Sequence, residues 1–190
     1  FGVLFLLLLL APMVWGWLGP AAPENDPTQP ARIEPVLNRM EERHADEPED
    51  LETTMRLAEM YARKLLAAKM IAGLRAHRPN PDRIAEEEQG FLEQWDTTLE
   101  RLSAAVGDAP TQTEMLRIAA KGEEAARAAL AHASIGTPQR LAANLLLGHF
   151  LLYQGRDADA VAAAVRAAEI NKADPRPHFL YGRIREFRNQ

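Results

Sequence analysis

The chain has 190 residues, a net charge of −5 at pH 7 and no cysteine. The lack of cysteine excludes disulfides, thiolate nucleophiles, cysteine-ligated metals, thioether-linked haem and a lipidated N-terminal cysteine. Acidic and basic residues are interspersed without a basic stripe, so nucleic acid is not an expected partner. The composition is rich in Ala, Leu, Glu and Arg, which are good helix formers, and therefore predicts an all-α fold.

Residues 1–18 read FGVLFLLLLLAPMVWGWL and carry no charge. As a helix they would span about 27 Å, close to the hydrocarbon thickness of a bilayer. We therefore predict an N-terminal transmembrane anchor, with Phe5 and Leu8 in its apolar body. Trp15 and Trp17 lie near its C-terminal end, where amphipathic rings favour the headgroup region.

A cleaved secretory signal is the competing interpretation, because residues 19–22 weakly resemble a cleavage site. The chain begins with Phe rather than Met, so we expect residues to precede it, and we favour a retained anchor. No Lys or Arg lies between the apolar segment and Arg32, as is typical of a translocated flank. We therefore predict a single-pass membrane protein whose soluble part is extracytoplasmic, and periplasmic if the source is bacterial.

Residues 19–32 are rich in proline and predict an extended linker. Beyond it, apolar spacing and turn residues predict about seven helices, joined by short loops that favour packing of sequential helices as antiparallel neighbours. Thr111 with Glu114 predicts a capping box, and Asp157 and Asp174 are predicted helix caps.

An internal repeat is visible near the C-terminus, where Leu147-Gly148 and Tyr181-Gly182 lie 34 residues apart. The segment between them also contains a turn glycine and two helix alanines: Gly155, Ala160 and Ala167. This pattern resembles the tetratricopeptide repeat over residues 141–188. The resemblance implies small residues where helices of adjacent hairpins approach closely.

The sequence departs from that family's usual large residues at three positions, since Asn144, Ala164 and Lys172 stand where Trp, Phe and Pro are common. Leu57-Ala58 followed by Tyr61 is a weaker match to the first helix of the repeat. Residues 77–136 fit no repeat period. The predicted fold is therefore an anchor followed by an α-solenoid-like domain of helical hairpins. We divide it into degenerate hairpins at 33–136 and a tetratricopeptide-like hairpin with a capping helix at 137–190.

The resemblance implies a partner-binding groove lined by the first helix of each hairpin. Carried onto this sequence, the groove positions are Leu145, His149, Leu152, Tyr153, Phe179, Arg183 and Phe187. The alternative is that these residues pack against a neighbouring hairpin.

No catalytic residue, metal or cofactor is expected from the motifs. The five histidines lack the i, i+3 or i+4 spacing of helix-borne metal ligands, and there is no phosphate loop or nucleophile–base motif. The acidic residues after His44 could in principle chelate a cation, but a solvated loop is the simpler interpretation. A rival from another class is an enzyme or ligand sensor with a pocket lined by Phe91 and Trp95.

The leading hypothesis is a membrane-anchored protein-interaction subunit that scaffolds other subunits of a membrane complex. The alternative is a transient assembly factor or chaperone, similar in layout to membrane-anchored tetratricopeptide proteins of cytochrome c maturation.

Overall fold

The computed structural model describes residues 32–80, 89–107 and 110–188, and the side chains of 89, 187 and 188 are not described. These residues form seven α-helices and no strand, which confirms the all-α class. The helices are α1 (Ile33–Asp46), α2 (Leu51–Ala76), α3 (Gln89–Val106), α4 (Gln112–Ala131), α5 (Thr137–Tyr153), α6 (Asp157–Ile170) and α7 (Pro175–Arg188).

The predicted anchor, with Phe5, Leu8, Trp15 and Trp17, lies outside the described residues, as does the linker up to residue 31. Among the helices that are described, none is both long and apolar enough to cross a membrane.

Two of the predicted helix starts are confirmed by their hydrogen bonds. The Thr111 hydroxyl accepts from the Glu114 backbone N–H at 3.2 Å, and the Glu114 carboxylate accepts from the Thr111 N–H at 2.7 Å. Asp174 accepts from the N–H of the second residue of α7 at 2.9 Å. The prediction for Asp157 is wrong, because it is the first helical residue of α6 and the residue before it makes no side-chain cap bond. Its charge there suits the positive end of the helix dipole.

Helix α3 interrupts the sequential packing that the short loops predict. It packs on α2 and α1, whereas α4 packs on α2 and α5, so the expectation of packing between neighbours in sequence is wrong at α3–α4. Trp95 explains the placement of α3: its side chain is 1% exposed, and its indole Nε1–H donates to the Leu74 carbonyl of α2 at 3.2 Å. Burial of so large a side chain holds α3 on α2.

Helix α5 is the centre of the domain, and it contacts α2, α4, α6 and α7. Four contacts link the helices in chain order: α2 packs on α4, α4 on α5, α5 on α6 and α6 on α7. In addition, α2 touches α5 and α5 touches α7. Helices α2, α5 and α7 therefore form a continuous row.

Two glycines set the distance between α5 and its neighbours. A Cβ on Gly122 of α4 would lie 2.3 Å from the Phe150 ring of α5. A Cβ on Gly148 would lie 2.6 Å from Leu180 of α7 and 3.5 Å from the Ala160 carbonyl oxygen of α6. Phe150, Ala160 and Leu180 are completely buried, so these approaches are part of the close-packed core.

The second large–small pair of the repeat does not reproduce the packing of the first. Helix α7 buries Pro177, Leu180 and Ile184 against the domain. Tyr181 is 43% exposed, and a Cβ on Gly182 would meet no atom within 4 Å. The positions 34 residues before these three, Ala143, Leu146 and Phe150, are also buried, so α7 turns the equivalent face inward and differs in the exposure of its large–small pair.

Asn144, where the tetratricopeptide pattern usually has Trp, links α5 to α6 by hydrogen bonds. Its side chain is 3% exposed, its Nδ2 donates to the Arg140 carbonyl at 2.9 Å, and its Oδ1 accepts from Arg166 Nε at 3.1 Å. Both ends of the buried amide are thus paired, which avoids the cost of an unsatisfied polar group.

We expect Gly122→Ala to lower the free energy of unfolding by about 1–3 kcal/mol, because the added methyl group forces the buried Phe150 ring to move. Gly73→Ala in α2 is the matched control, since a Cβ there meets nothing within 4 Å. That variant should be more stable by about 0.5–1 kcal/mol through helix propensity. Urea unfolding of both variants checks this, and equal effects would contradict the packing described.

Candidate partner-binding surface

The structure separates the predicted groove residues by their exposure. Leu145 and Leu152 are only 7% and 8% exposed, so they pack inside the domain. Tyr153 is half-buried, and its hydroxyl lies 2.9 Å from the Met115 sulfur of α4. The Phe187 side chain lies outside the described residues.

Three of the predicted residues remain at least partly exposed to solvent: His149, Phe179 and Arg183. Phe179 is 67% exposed, more than the other exposed large apolar side chains of the described residues, and Arg183 and His149 are half-buried. Phe179 and Arg183 are four residues apart on α7 and therefore share one face of that helix.

His149 is the most perturbed titratable group of this region. Burial, followed by the positive charges of Arg183 and Lys69, lowers the pKa of His149 to about 4. Burial and Arg183 also lower the pKa of Lys69. Arg183 and Lys69 thus each disfavour the charge on His149, and Arg183 disfavours the charge on Lys69, although the three residues belong to three helices, α2, α5 and α7.

We call Lys69, His149, Phe179 and Arg183 the α2–α5–α7 surface. Three of them were selected from the sequence, whereas Lys69 was missed. It lies in the C-terminal half of α2, outside the part that echoes the repeat motif. No sequence signal identifies it, because its proximity to the other two basic residues depends on the packing of α2 against α5.

Two other polar clusters have structural roles. Tyr61 of α2 donates to Glu41 of α1, and Lys121 of α4 also donates to Glu41, at 2.7 Å. Burial raises the pKa of Glu41, but the bonds from Lys121 and Tyr61 outweigh it and lower that pKa below its usual range. Burial, together with the bond to Glu41, raises the pKa of Tyr61. The cluster therefore ties α1, α2 and α4 together.

The second cluster fixes the turn between α5 and α6 on α4. Glu123 of α4 accepts from Gln154 at 2.9 Å and from Arg156 at 2.8 Å. Arg156 also donates to Asp159 at 2.6 Å. Gly155 between them has φ +72°, a left-handed conformation that favours glycine.

The acidic loop after His44 contributes helix capping. Asp50 accepts from the Glu52 backbone N–H at 3.1 Å and pairs with Arg43 at 3.1 Å. His44 Nδ1 lies 3.1 Å from the Thr54 hydroxyl. In the portion of the chain covered by the structure, no group of three or more His, Asp or Glu side chains could hold a metal ion.

The aromatic pair proposed for an internal pocket forms part of the packing of α3. The rings of Phe91 and Trp95 are 5.8 Å apart at 58°, a tilted arrangement usual for packed aromatic side chains. A surface depression lies instead between α6 and α7, with Ala164, Ala168, Pro177 and Tyr181 in its wall.

Comparison of the chain with protein-family models, curated proteins and solved structures gave no significant match.

The environment of His149 predicts a specific pH dependence of stability. Its folded-state pKa of about 4 lies below the ordinary value of about 6.5, so protonation favours the unfolded chain. The stability contribution of the neutral ring is complete above pH 6.5 and is lost as the pH falls towards 4. The maximal loss is about 3 kcal/mol.

We expect His149→Gln to reduce the difference in unfolding free energy between pH 7.5 and pH 5 by about 2 kcal/mol relative to the unsubstituted chain. Urea unfolding at both pH values measures this difference. His178→Gln, at an exposed position of α7, is the control and should keep the original difference. An unchanged difference in His149→Gln would show that the ring is not desolvated as described.

Proposed function

We propose that this protein is a membrane-anchored interaction subunit that holds other proteins of a membrane complex on its α2–α5–α7 surface. The observation that carries the proposal is the row of helices α2, α5 and α7, with the exposed Phe179 ring of α7 one helical turn from Arg183. An exposed aromatic residue next to charged groups is the composition expected of a protein-binding hot spot.

The order of helix contacts supports a tetratricopeptide-like interpretation of the domain. In a hairpin array, the second helix of one hairpin packs on the first helix of the next, and successive first helices also touch. The pairs α2–α4 and α5–α6 match this order, with α4 on α5 and α2 on α5. Under this interpretation α3 is an insertion within the first hairpin.

Small residues at corresponding positions add support. Gly148 of α5 and Ala58 of α2 occupy the same place in the repeat pattern, and both are buried. Ala160 and Ala167 of α6 have no exposed surface. Close approach of paired helices at small residues is the steric feature that the resemblance implies.

The membrane part of the proposal rests on the sequence of residues 1–18, which is uncharged and long enough to span a bilayer as a helix. The flank that follows has no Lys or Arg before Arg32, which favours an extracytoplasmic position of the folded domain, periplasmic in a bacterium. A binding domain tethered in this way meets membrane-bound partners at a raised effective concentration.

A transient assembly factor is the second candidate, since the same surface would suit a chaperone for periplasmic or membrane proteins. The two candidates differ in stoichiometry: a subunit co-purifies with fixed amounts of its partners, whereas an assembly factor carries small and variable amounts of clients. We propose a binding role rather than an enzymatic one.

The test is purification of the full chain from native membranes in mild detergent through a C-terminal tag, followed by gel filtration and quantitative mass spectrometry. Stoichiometric partners are expected. Phe179→Ser should reduce their yield by about tenfold, the effect of losing a hot-spot side chain. Val165→Ser is the matched control, because Val165 is 45% exposed on α6 and lies outside the proposed surface.

Elution of the unsubstituted chain without stoichiometric partners would refute the subunit role. Equal losses in Phe179→Ser and Val165→Ser would refute the assignment of the surface.

A further inference from the structure

Helix α7 leaves open a face that is covered on α5, its counterpart in the 34-residue repeat. The four α5 residues of this face are buried, whereas the four α7 residues at equivalent positions are exposed. We call these four α7 residues the open stripe of α7. The residues compared are Asn144, Leu147, Gly148 and Leu151 of α5, and His178, Tyr181, Gly182 and Arg185 of α7.

Helix α6 covers this face of α5. Asn144 Oδ1 accepts from Arg166 Nε of α6 at 3.1 Å. A Cβ on Gly148 would lie 3.5 Å from the Ala160 carbonyl oxygen of α6, whereas a Cβ on Gly182 would meet nothing within 4 Å. By analogy with α5, the open stripe of α7 is suited to packing against a further helix.

A second exposed stripe lies on α6. Its members recur at intervals of four and three residues, so they share one face of the helix, opposite to its buried alanines. Two of them, Val165 and Glu169, lie with His178 and Tyr181 in the wall of the depression between α6 and α7. The two stripes therefore border the same depression. The members of this outer stripe of α6 are Ala158, Ala162, Val165 and Glu169.

The two stripes complement each other in shape. Val165 is 45% exposed and projects from the outer stripe of α6, between smaller or polar neighbours. Gly182 has no side chain at the middle of the open stripe of α7, and Tyr181 beside it is 43% exposed. An apolar side chain opposite a glycine lets two helices approach closely. The outer stripe of α6 can therefore cover the open stripe of α7.

The two helices also complement each other in charge. Helix α6 contains three acidic residues and one arginine, whereas α7 contains four arginines and one glutamate. Contact of α6 with α7 brings opposite charges together, whereas contact of either helix with its own copy brings like charges together. Because one chain carries both halves of a complementary contact, the occupant that fits is a second copy of this chain.

We propose that two copies of the chain associate about a two-fold axis, with the outer stripe of α6 in each copy on the open stripe of α7 in the other. A two-fold axis makes both contacts at once and leaves neither stripe uncovered. Helices α6 and α7 are joined by a short turn and therefore run antiparallel. An axis parallel to them sets residues at similar distances from that turn opposite each other.

The expected pairs between copies follow from this arrangement. Val165 of one copy lies opposite Gly182 of the second copy, and Ala162 lies opposite Arg185. Glu169 lies opposite His178, where a carboxylate can accept from the ring N–H. Phe179, which belongs to the α2–α5–α7 surface, is in neither stripe. The inference therefore goes beyond the proposed function and does not depend on it.

The association state of the full chain in mild detergent tests the proposal. Sedimentation equilibrium at a solvent density matched to the detergent gives the mass of the protein alone. We expect a reversible, concentration-dependent dimer with twice the 21.1 kDa mass of one chain. Its dissociation constant should increase with salt concentration, because opposite charges on α6 and α7 meet.

Matched variants locate the contact. Gly182→Leu should raise the dimer dissociation constant by about tenfold, because the leucine fills the space that Val165 of the second copy requires. Gly90→Leu is the control, since it makes the same change at an exposed glycine of α3 where a Cβ also meets nothing within 4 Å. It should keep the dissociation constant to within about twofold, as should Phe179→Ser. Urea unfolding should show no loss of stability in either leucine variant.

Cysteine pairs test which residues meet. The chain has no cysteine, so each introduced thiol is the only one in its copy. Two differently tagged copies, one with Ala162→Cys and one with Arg185→Cys, are mixed and oxidised. We expect a disulfide that joins the two tags. The control pair is Ala128→Cys, at an exposed position of α4, with Arg185→Cys, and it should join the tags far less.

A monomer at all concentrations would overturn the inference. A dimer that Gly182→Leu and Gly90→Leu weaken equally, or that neither weakens, is held at another surface and would also overturn it, as would equal cross-linking of the two cysteine pairs. If the unsubstituted chain is monomeric and Gly182→Leu loses a co-purifying protein, the open stripe binds that protein and self-association is refuted. Stoichiometric partners of the unsubstituted chain are measured independently of these results, so the proposed function is judged separately.

Discussion

The packing of α5 is the constraint on which the rest of the domain depends. This helix contacts α2, α4, α6 and α7, and its interfaces require Gly122 on α4 and Gly148 on α5 itself. At both positions a methyl group would overlap a buried side chain, either the Phe150 ring or Leu180. Since a close-packed interior does not absorb such an overlap without moving its neighbours, these glycines fix the spacing of α4, α6 and α7 around α5.

The placement of α5 also creates the proposed binding surface. Helix α5 touches both α2 and α7, and Lys69 of α2 and Arg183 of α7 both disfavour the charge on His149. Like charges that act on one another in this way reduce the stability of the folded chain when all of them are ionised. The charged clusters around Glu41 and Glu123 have the opposite character, since their partners are complementary and they tie helices together.

Under the proposed hairpin-array interpretation, α3 is an insertion, and this would explain why the repeat pattern is hard to follow in the first half of the chain. Helix α4 packs on α2 across the interruption, and Trp95 binds α3 to the side of α2 through a buried ring and a hydrogen bond. A period in sequence requires equal lengths between equivalent helices. A helix inserted into a hairpin would remove that regularity without changing which helices are in contact.

The sequence alone determined the all-α class, the helix positions of the described residues and the capping box at Thr111. The reason is that helix propensity, apolar spacing and capping act over only a few residues. It also placed Phe179 and Arg183 on one helical face. The cap predicted at Asp157 is wrong because an acidic residue is favoured both as the N-cap and within the first turn of a helix.

Only the tertiary structure decided which helices meet. The return of α4 to α2, the outward position of Tyr181 and the approach of Lys69 to His149 all depend on contacts between residues far apart in sequence. Leu145 and Leu152 fit the groove pattern in sequence, yet they are buried, because a periodic pattern defines the face of a helix but not the neighbour that covers it. That neighbour is chosen by steric fit between whole helices.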